Sequence, residues 1–342
     1  MNVTELDFGR PAQLQASAPP EARGLRRDEV RLLVSSGQGH HHATFRDLAD
    51  YLTPGDLLIV NDSATLAASL PAEGSAGPFI LNLSTDYGGG LWLAEPRWSP
   101  GQPGPLPLRA GDAFTAAGLC SRVVRAYPGL PRLLFVSLNG DVTAAMRRHG
   151  EPIRYGYLRE AYPLEHYQTH FARLPGSAEM PSAARPFTLR VLASLRARGV
   201  RLATVTLHTG VSSLELSGDL GAQTLYPEPF AVPAATAEAV NTAKAEGRRV
   251  VAVGTTVVRA LEASWNGRGV TARRGFTRLY LRPGREVRVV NGLLTGLHDP
   301  RASHLAMLCA VAGRAVIQEA YAEAVRAGYL WHEFGDSHLI LP

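Results

Sequence analysis

This chain of 342 residues contains a single lysine, Lys244. Schiff-base chemistry and the phosphate-gripping lysine of a P-loop both need that side chain. Lys244 falls mid-helix in an exposed-looking pattern, which sets both mechanisms aside. There are two cysteines, Cys120 and Cys309, far apart and in no zinc spacing. They offer no disulfide framework, as expected of a cytoplasmic protein. No apolar run approaches the ~18 residues that span a bilayer. Met1 to Arg10 carries acids and lacks the basic-then-apolar pattern of a secretion signal. The expectation is a soluble, cytoplasmic protein without a membrane segment.

Hydrophobic content is 45%, enough for an ordinary globular core. The length suits two domains, or one large α/β domain with an insertion. The net charge is +5 and nearly all the positive charge is arginine. A GC-rich genome accounts for that usage. The basic balance permits nucleic-acid binding without demanding it.

Residues 249–262 form the most informative stretch. Arg249 to Val253 reads as a buried strand, Gly254-Thr255-Thr256 as a tight turn, and Val257 to Glu262 as the start of a helix. Such a turn aims backbone N–H groups and two hydroxyls at one spot, which suits a carboxylate or phosphate or simply caps the helix. Arg259 and Glu262, at i and i+3, share a helix face. On this reading Arg259→Ala weakens ligand binding and leaves the fold intact.

Around this stretch the chain alternates in texture. Arg46 to Asn61 reads as a short helical stretch, the turn Thr53-Pro54-Gly55 and a strand over Asp56 to Val60, with Asn61-Asp62 at the strand's end. Residues 64–139 break into short alternating runs between Gly- and Pro-rich turns, the pattern of a small antiparallel β-barrel. After Asp141 the helical period returns. Helices are predicted over Pro163 to Phe171, Thr188 to Arg198, Thr236 to Glu246 with a Thr cap, and Ser303 to Ala327 as one long helix capped by Ser303. Strands are predicted over Val200 to His208, Phe276 to Leu281 and Glu286 to Val290. The expected architecture is an open α/β body, residues 1–63 and 140–342, interrupted by a β-barrel insert over 64–139.

Several residues have the right chemistry for a site, and each has a plainer alternative. His208, before Thr209-Gly210, sits where a strand meets a loop and suits acid–base work or a hydrogen-bonded corner. Glu228, between two prolines, is a fixed base or a solvated loop acid. His298 precedes Asp299 and Pro300 just before a helix, another fixed imidazole. His40-His41-His42 looks like a metal cluster, but consecutive residues rarely ligate one ion. His332, Glu333 and His338 have no metal spacing, and the four tryptophans are scattered.

The motifs agree as an ordered series. They run Arg31-Leu32-Leu33-Val34, Asp50-Tyr51-Leu52 with Pro54-Gly55-Asp56-Leu57-Leu58, Asn61-Asp62, Tyr167-Gln168-Thr169 and Phe187-Thr188. Then come Val205-Thr206-Leu207-His208 with Gly210, Glu228, Ala252-Val253-Gly254-Thr255-Thr256 with Val258-Arg259 and Leu261-Glu262, Leu294-Thr295 with His298 and Pro300, and Phe334-Gly335-Asp336. In this the chain resembles the S-adenosylmethionine:tRNA ribosyltransferase-isomerase family of queuosine biosynthesis, over nearly its whole length.

The resemblance implies the α/β body with an inserted barrel. It implies transfer of the ribosyl part of S-adenosylmethionine, not its methyl group, onto the aminomethyl group of a 7-deazaguanine in tRNA. Adenine and methionine leave and an epoxycyclopentanediol forms. A base removes a proton beside the sulfonium, an acid assists the departure of adenine, and the acceptor amine attacks unprotonated. No metal and no cofactor beyond the co-substrate are implied, and the family is monomeric. By the same resemblance, Gly254, Thr255, Thr256 and Arg259 bind an anionic group, the methionine carboxylate or a tRNA phosphate. His208, Glu228 and His298 are the acid–base candidates. Asn61, Asp62, Tyr167 and Gln168 line the same cleft, with Ser182, Arg185, Thr209, Gly210 and Glu262 as further substrate contacts, while surface arginines meet the tRNA backbone.

The chain departs from the family pattern near the chemistry. Where the family has Pro-Thr-Ala-Gly-Leu-His-Phe-Thr, this chain has Pro181-Ser182-Ala183-Ala184-Arg185-Pro186-Phe187-Thr188, so Pro186 replaces a histidine. The Gly-rich loop after the strand histidine is Thr209-Gly210-Val211-Ser212-Ser213. Gln223 and Tyr226 stand where the family has paired histidines, Ser69 where it has an arginine, and His304 is gained. Arg185, His304 and Ser212 are the candidates to compensate. The alternatives are a divergent enzyme that binds S-adenosylmethionine or a related nucleoside and modifies a non-tRNA acceptor, and a noncatalytic RNA-binding relative.

Overall fold

A computed structural model describes residues 3–75, 77–211, 218–220 and 225–342. Ser212, Ser213 and Gln223, named above, lie outside the described residues.

The chain opens with a hairpin, β1 (Arg31–Ser36) and β2 (Gly39–Thr44), then the buried strand β3 (Leu57–Asn61) and the short β4 (Ser63–Thr65). Six strands follow: β5 (Ser69–Gly74), β6 (Gly77–Asp86), β7 (Leu91–Arg97), β8 (Ala113–Ala116), β9 (Leu119–Tyr127) and β10 (Leu130–Asn139). They pair antiparallel and close as a barrel in the order β10-β7-β6-β5-β8-β9. Alternating residues such as Leu70, Leu81, Leu83 and Val136 fill its own core.

The remainder holds α1 (Val142–His149), β11 (Leu174–Ser177), α2 (Leu189–Ala197), β12 (Arg201–Leu207), β13 (Glu228–Val232), α3 (Ala234–Ala245) and β14 (Val250–Val253). It continues with α4 (Thr255–Ala263), β15 (Arg273–Thr277), β16 (Gly292–Gly296), α5 (Ser303–Ala312), α6 (Arg314–Arg326) and β17 (Ser337–Leu341). A nine-stranded sheet runs β15-β13-β12-β3-β14-β16-β17-β1-β2. Its centre, β12-β3-β14-β16, is parallel. β3 and β14 are buried along their whole length, as parallel strands covered on both faces must be. Their C-terminal ends therefore open on one edge, towards the barrel.

Five predicted elements differ from what is seen. Pro163 to Phe171 holds only a short 3-10 turn, Leu164–Tyr167. α3 starts two residues early and has no side-chain cap, because the Thr236 hydroxyl donates to the Thr204 carbonyl instead. The predicted long C-terminal helix is two helices bent by 120° at Gly313, whose φ of 84° is open to glycine and costly for other residues. Ser303 is not its cap. Glu286 to Val290 is not a strand, since the N–H groups of Arg288, Val289 and Val290 donate to the Glu262 carboxylate, and pairing passes to β16. In the Phe276 to Leu281 stretch the strand ends at Thr277, having begun at Arg273. No single described helix is long and apolar enough to cross a membrane.

Candidate active site

The strand-to-helix turn predicted at 254–256 is present. Gly254 takes φ 94°, a conformation that strains other residues, while a Cβ there would meet the Ala183 methyl only at contact distance, 3.4 Å. The N–H groups of Thr255 and Thr256 lie at the positive end of α4, while those of Val257 and Val258 bond to the Gly254 carbonyl. Gly254, Thr255 and Thr256 form part of the wall of a cleft of about 640 Å³. The opposite wall is the barrel, which contributes Glu95, Arg97 and Arg132. Arg97 and Arg132 hold the buried Glu95 carboxylate at 3.2 and 2.6 Å. Arg97 also lies over the Tyr155 ring, 5.2 Å from its centroid.

A second chamber continues behind the first, sharing Glu179, Thr209, Thr255, Thr256 and His304 with it. Arg259 and Glu228 form its inner end. Gly210 also lines it, and any Cβ at that position would strike the Tyr226 hydroxyl at 2.4 Å.

Of the histidines, His298 and His304 are in the cleft. Their rings stack with centroids 4.7 Å apart. His298 Nε2 lies 2.8 Å from the Thr295 hydroxyl. Burial pushes both imidazoles down, His298 well below its usual range with the neighbouring imidazoles of His304, His332 and His338 adding to the effect, and His304 to about 4 with the Arg259 charge adding to it. Both are neutral at neutral pH.

The loops at 155–157 and 179 supply groups that sequence reasoning passed over, and the loop at 332–333 supplies two that it weighed only as metal ligands. Tyr157 stacks on His332 at 4.4 Å between centroids, and the Tyr155 hydroxyl donates to the Glu179 carboxylate. His332 holds φ 74°, uncommon for a side-chain-bearing residue. Burial, reinforced by the nearby Glu179 charge, raises the Glu333 carboxyl to about 8. A small cavity of about 10 Å³ beside the cleft joins Pro186 to Ser182, His332 and Glu333. A signal for these residues was weak: single acids and aromatics in irregular loops, with no spacing rule to mark them.

Other predicted residues are placed elsewhere or already engaged. Asn61 is fully buried, donating to the Leu207 carbonyl and accepting from the Ser63 and Leu207 N–H groups. Asp62 binds the Thr206 hydroxyl at 2.6 Å and Arg173 at 2.8 Å. Gln168 pairs through its amide with both backbone groups of Thr65, and Tyr167 is buried against Phe334. None of these four lines the cleft as described, because Asn61, Asp62 and Gln168 tie strand ends to their neighbours and Tyr167 packs against Phe334. His208 is also off the cleft wall, its Nδ1 2.7 Å from the Ser63 hydroxyl and its pKa lowered by burial against the opposing pull of Asp62.

Glu228 is neither in a turn nor solvated. It opens β13, is 5% exposed, accepts from the Gly210 N–H and is ion-paired with Arg259. Arg259 further donates to the Leu279 and Thr277 carbonyls, so its guanidinium is committed within the protein. Glu262 clamps the 288–290 backbone, away from the cleft. Arg185 is buried, bonded to the His166 carbonyl and Glu21 and lying over Phe334. Ser182 and Thr209 do line the cleft.

On β2, His40 meets Ser35 and His42 meets Tyr329 and Glu323. Among the described residues no group of three or more His, Cys, Asp or Glu side chains is arranged to hold a metal ion.

A profile of the queuosine biosynthesis protein family matches residues 3–340. The chain belongs to that family. It is 41% identical over 324 residues to an S-adenosylmethionine:tRNA ribosyltransferase-isomerase of Thermus thermophilus, covering 92% of this chain and 93% of the relative. A protein of the same name from Anaeromyxobacter sp. strain K is 38% identical over 350 residues, covering 100% of this chain and 99% of its own. The crystal structure of an S-adenosylmethionine tRNA ribosyltransferase from Thermotoga maritima superposes with a TM-score of 0.55 at 28% identity, covering 98% of this chain and 100% of that one. The similarity of this family member to those relatives thus runs over nearly its whole length.

Proposed function

We infer that this chain is an S-adenosylmethionine:tRNA ribosyltransferase-isomerase. It transfers and isomerises the ribosyl moiety of S-adenosylmethionine onto the 7-aminomethyl-7-deazaguanine base of tRNA. The observation that carries this is the end-to-end similarity to proteins of that name, over 92–100% of this chain. The cleft has a volume and a set of groups that fit the chemistry.

The reaction requires a base beside the sulfonium and an acid at the departing adenine. Two sets of groups in the cleft are tuned in opposite directions, the pattern expected of a base and an acid working at one pH. The stacked imidazoles of His298 and His304 are neutral and able to accept the proton from the carbon next to sulfur. Glu333, still protonated at neutral pH, is able to give one to adenine as its glycosidic bond breaks. The acceptor amine then bonds to the ribosyl carbon, methionine leaves, and the epoxide closes. The N–H groups at the start of α4 suit the methionine carboxylate.

Pro186 cannot transfer a proton, but His332 and Glu333 border the same small cavity and supply that capacity. Arg185 does not compensate, being bonded to His166 and Glu21. The protein works without a metal, as a monomer in the cytoplasm, on S-adenosylmethionine and tRNA. The test is adenine and methionine release from S-adenosylmethionine with tRNA carrying the aminomethyl base. Release that requires this tRNA supports the reading. S-adenosylmethionine binding without release supports a different acceptor.

A further inference from the structure

Phe276, on the edge strand β15, is 52% exposed, an unusual position for so large an apolar ring. It is one end of a strip of aromatic rings that crosses from the body to the barrel. The Phe276 and Tyr87 centroids lie 5.6 Å apart, Tyr87 and Phe135 5.9 Å, and Phe135 and Tyr127 5.5 Å. Tyr87, Phe135 and Tyr127 are each partly exposed. At the far end Tyr127 meets the edge of Tyr226, which lines the inner chamber. In the middle the Tyr87 hydroxyl donates to the Pro227 carbonyl, next to Glu228. The strip therefore runs along the outside of the wall whose inside is the chamber.

Its charge is positive. The Arg125 guanidinium lies 5.3 Å above the Phe135 ring. Arg274 shares a strand face with Phe276, two residues away, and Arg278 follows close to Tyr87. All three arginines are exposed, and among the described residues none has a carboxylate partner. Exposed rings interleaved with unpaired arginines form the surface that single-stranded RNA prefers, with bases stacking on rings and phosphates meeting guanidinium groups. A lipid or an acidic peptide would use the charges and leave the row of ring faces unexplained.

We propose that the Phe276–Tyr87–Phe135–Tyr127 strip, with Arg125, Arg274 and Arg278, is the docking surface for unpaired nucleotides flanking the modified base of the RNA substrate. This rests on the tRNA reading above. A base acted on in the cleft must leave its stack, and its neighbours then need another face to stack on. The strip provides one, beside the chamber and outside it.

The test uses the full-length protein and tRNA carrying the aminomethyl base. Phe276→Ala and the double variant Arg274→Ala/Arg278→Ala are compared with wild type by fluorescence anisotropy across a salt series. None of these residues lines the cleft, so S-adenosylmethionine affinity and thermal melting serve as controls. Phe276→Ala should weaken tRNA binding by about tenfold to a hundredfold, and Phe276→Trp should restore it. The double arginine variant should lower the slope of log affinity against log salt by about one to two. Unchanged tRNA affinity in both variants, with wild type still releasing adenine in a tRNA-dependent way, overturns the surface and leaves the reaction standing. A change in oligomeric state in place of a change in tRNA affinity also overturns it, by making the strip a contact between copies. Wild type that neither binds tRNA nor releases adenine with it overturns the underlying reading as well.

Discussion

Two regions at the open edge of the sheet contrast. At the ends of β3 and β12, the polar residues Asn61, Asp62 and His208 face inward and are consumed by hydrogen bonds between strands. Across the cleft, the loops bearing Glu179, His298, His332 and Glu333, together with His304 in the first turn of α5, hold polar groups that border open volume. The first region is framework, and the second is where we place the chemistry. Strand ends deliver position; once the strands must be tied to one another, their side chains are no longer available for a substrate. Loops carry few such obligations, so reactive groups collect there.

The contrast breaks most sharply at the imidazoles. His304→Ala or His298→Ala should cut adenine release by about 10²–10⁴-fold while S-adenosylmethionine still binds, whereas His208→Ala should act mainly through stability. Single-turnover rates beside binding isotherms separate these outcomes. Comparable rate losses at His208 with an unchanged melting temperature would move the chemistry to the strand ends.

Next in size is the Arg259–Glu228 pair. Removing one member leaves the other charge buried, at a cost of about 3–5 kcal/mol. Arg259→Ala should therefore lose stability in urea unfolding, in contrast to the purely ligand-binding effect read from the sequence. A variant as stable as wild type would restore the anion-binding role. Asn61→Ala is expected to cost less, about 1–3 kcal/mol, by orphaning the Ser63 and Leu207 N–H groups. Chemical denaturation measures this too, and retained activity per folded molecule would mark Asn61 as framework.

The finest test is the pH dependence of Glu333. Its carboxyl stays protonated in the fold to about 8, above its usual value of 4.5. Between those values the unfolded chain has lost the proton and the folded chain keeps it, so stability falls as pH rises. Glu333→Gln removes this dependence. It should melt higher than wild type at pH 8, with the gap closing as pH falls towards 4.5. Adenine release should lose its alkaline limb near pH 8 and fall at neutral pH, because an amide has no proton to give. Unchanged pH profiles in both measurements would assign the acid elsewhere.

The fold was legible in the sequence wherever local pattern and burial agree. Asp56 to Val60 and Arg249 to Val253 are continuous apolar runs bounded by turns, and each becomes a central parallel strand within a residue or so. The barrel's alternation over 77–138 is likewise visible in the chain. The misread elements are those decided at long range. Glu286 to Val290 has strand composition, yet Glu262 takes its backbone donors. The helical period through Ser303 to Ala327 is real, and Gly313 alone turns it by 120°.

At the site, the Gly254-Thr255-Thr256 turn, Thr209, Gly210, Ser182 and His298 were legible because turn chemistry or motif order marks them. Glu179, Tyr155, Tyr157 and Glu333 were not, since no local rule distinguishes a loop acid facing a cleft from one facing water. Arg259 and Glu262 were recognised, but their partners were not. Their i,i+3 spacing puts them on neighbouring parts of one helix, and only the tertiary structure shows Arg259 paired with Glu228 at the end of the inner chamber and Glu262 clamping the 288–290 backbone.

The most direct test of the account is a product assay with S-adenosylmethionine and tRNA bearing the 7-aminomethyl-7-deazaguanine base. The account predicts adenine and methionine released in equal amounts, with no release when that tRNA is omitted or lacks the modified base. Absence of both products, or release indifferent to the tRNA, would contradict it.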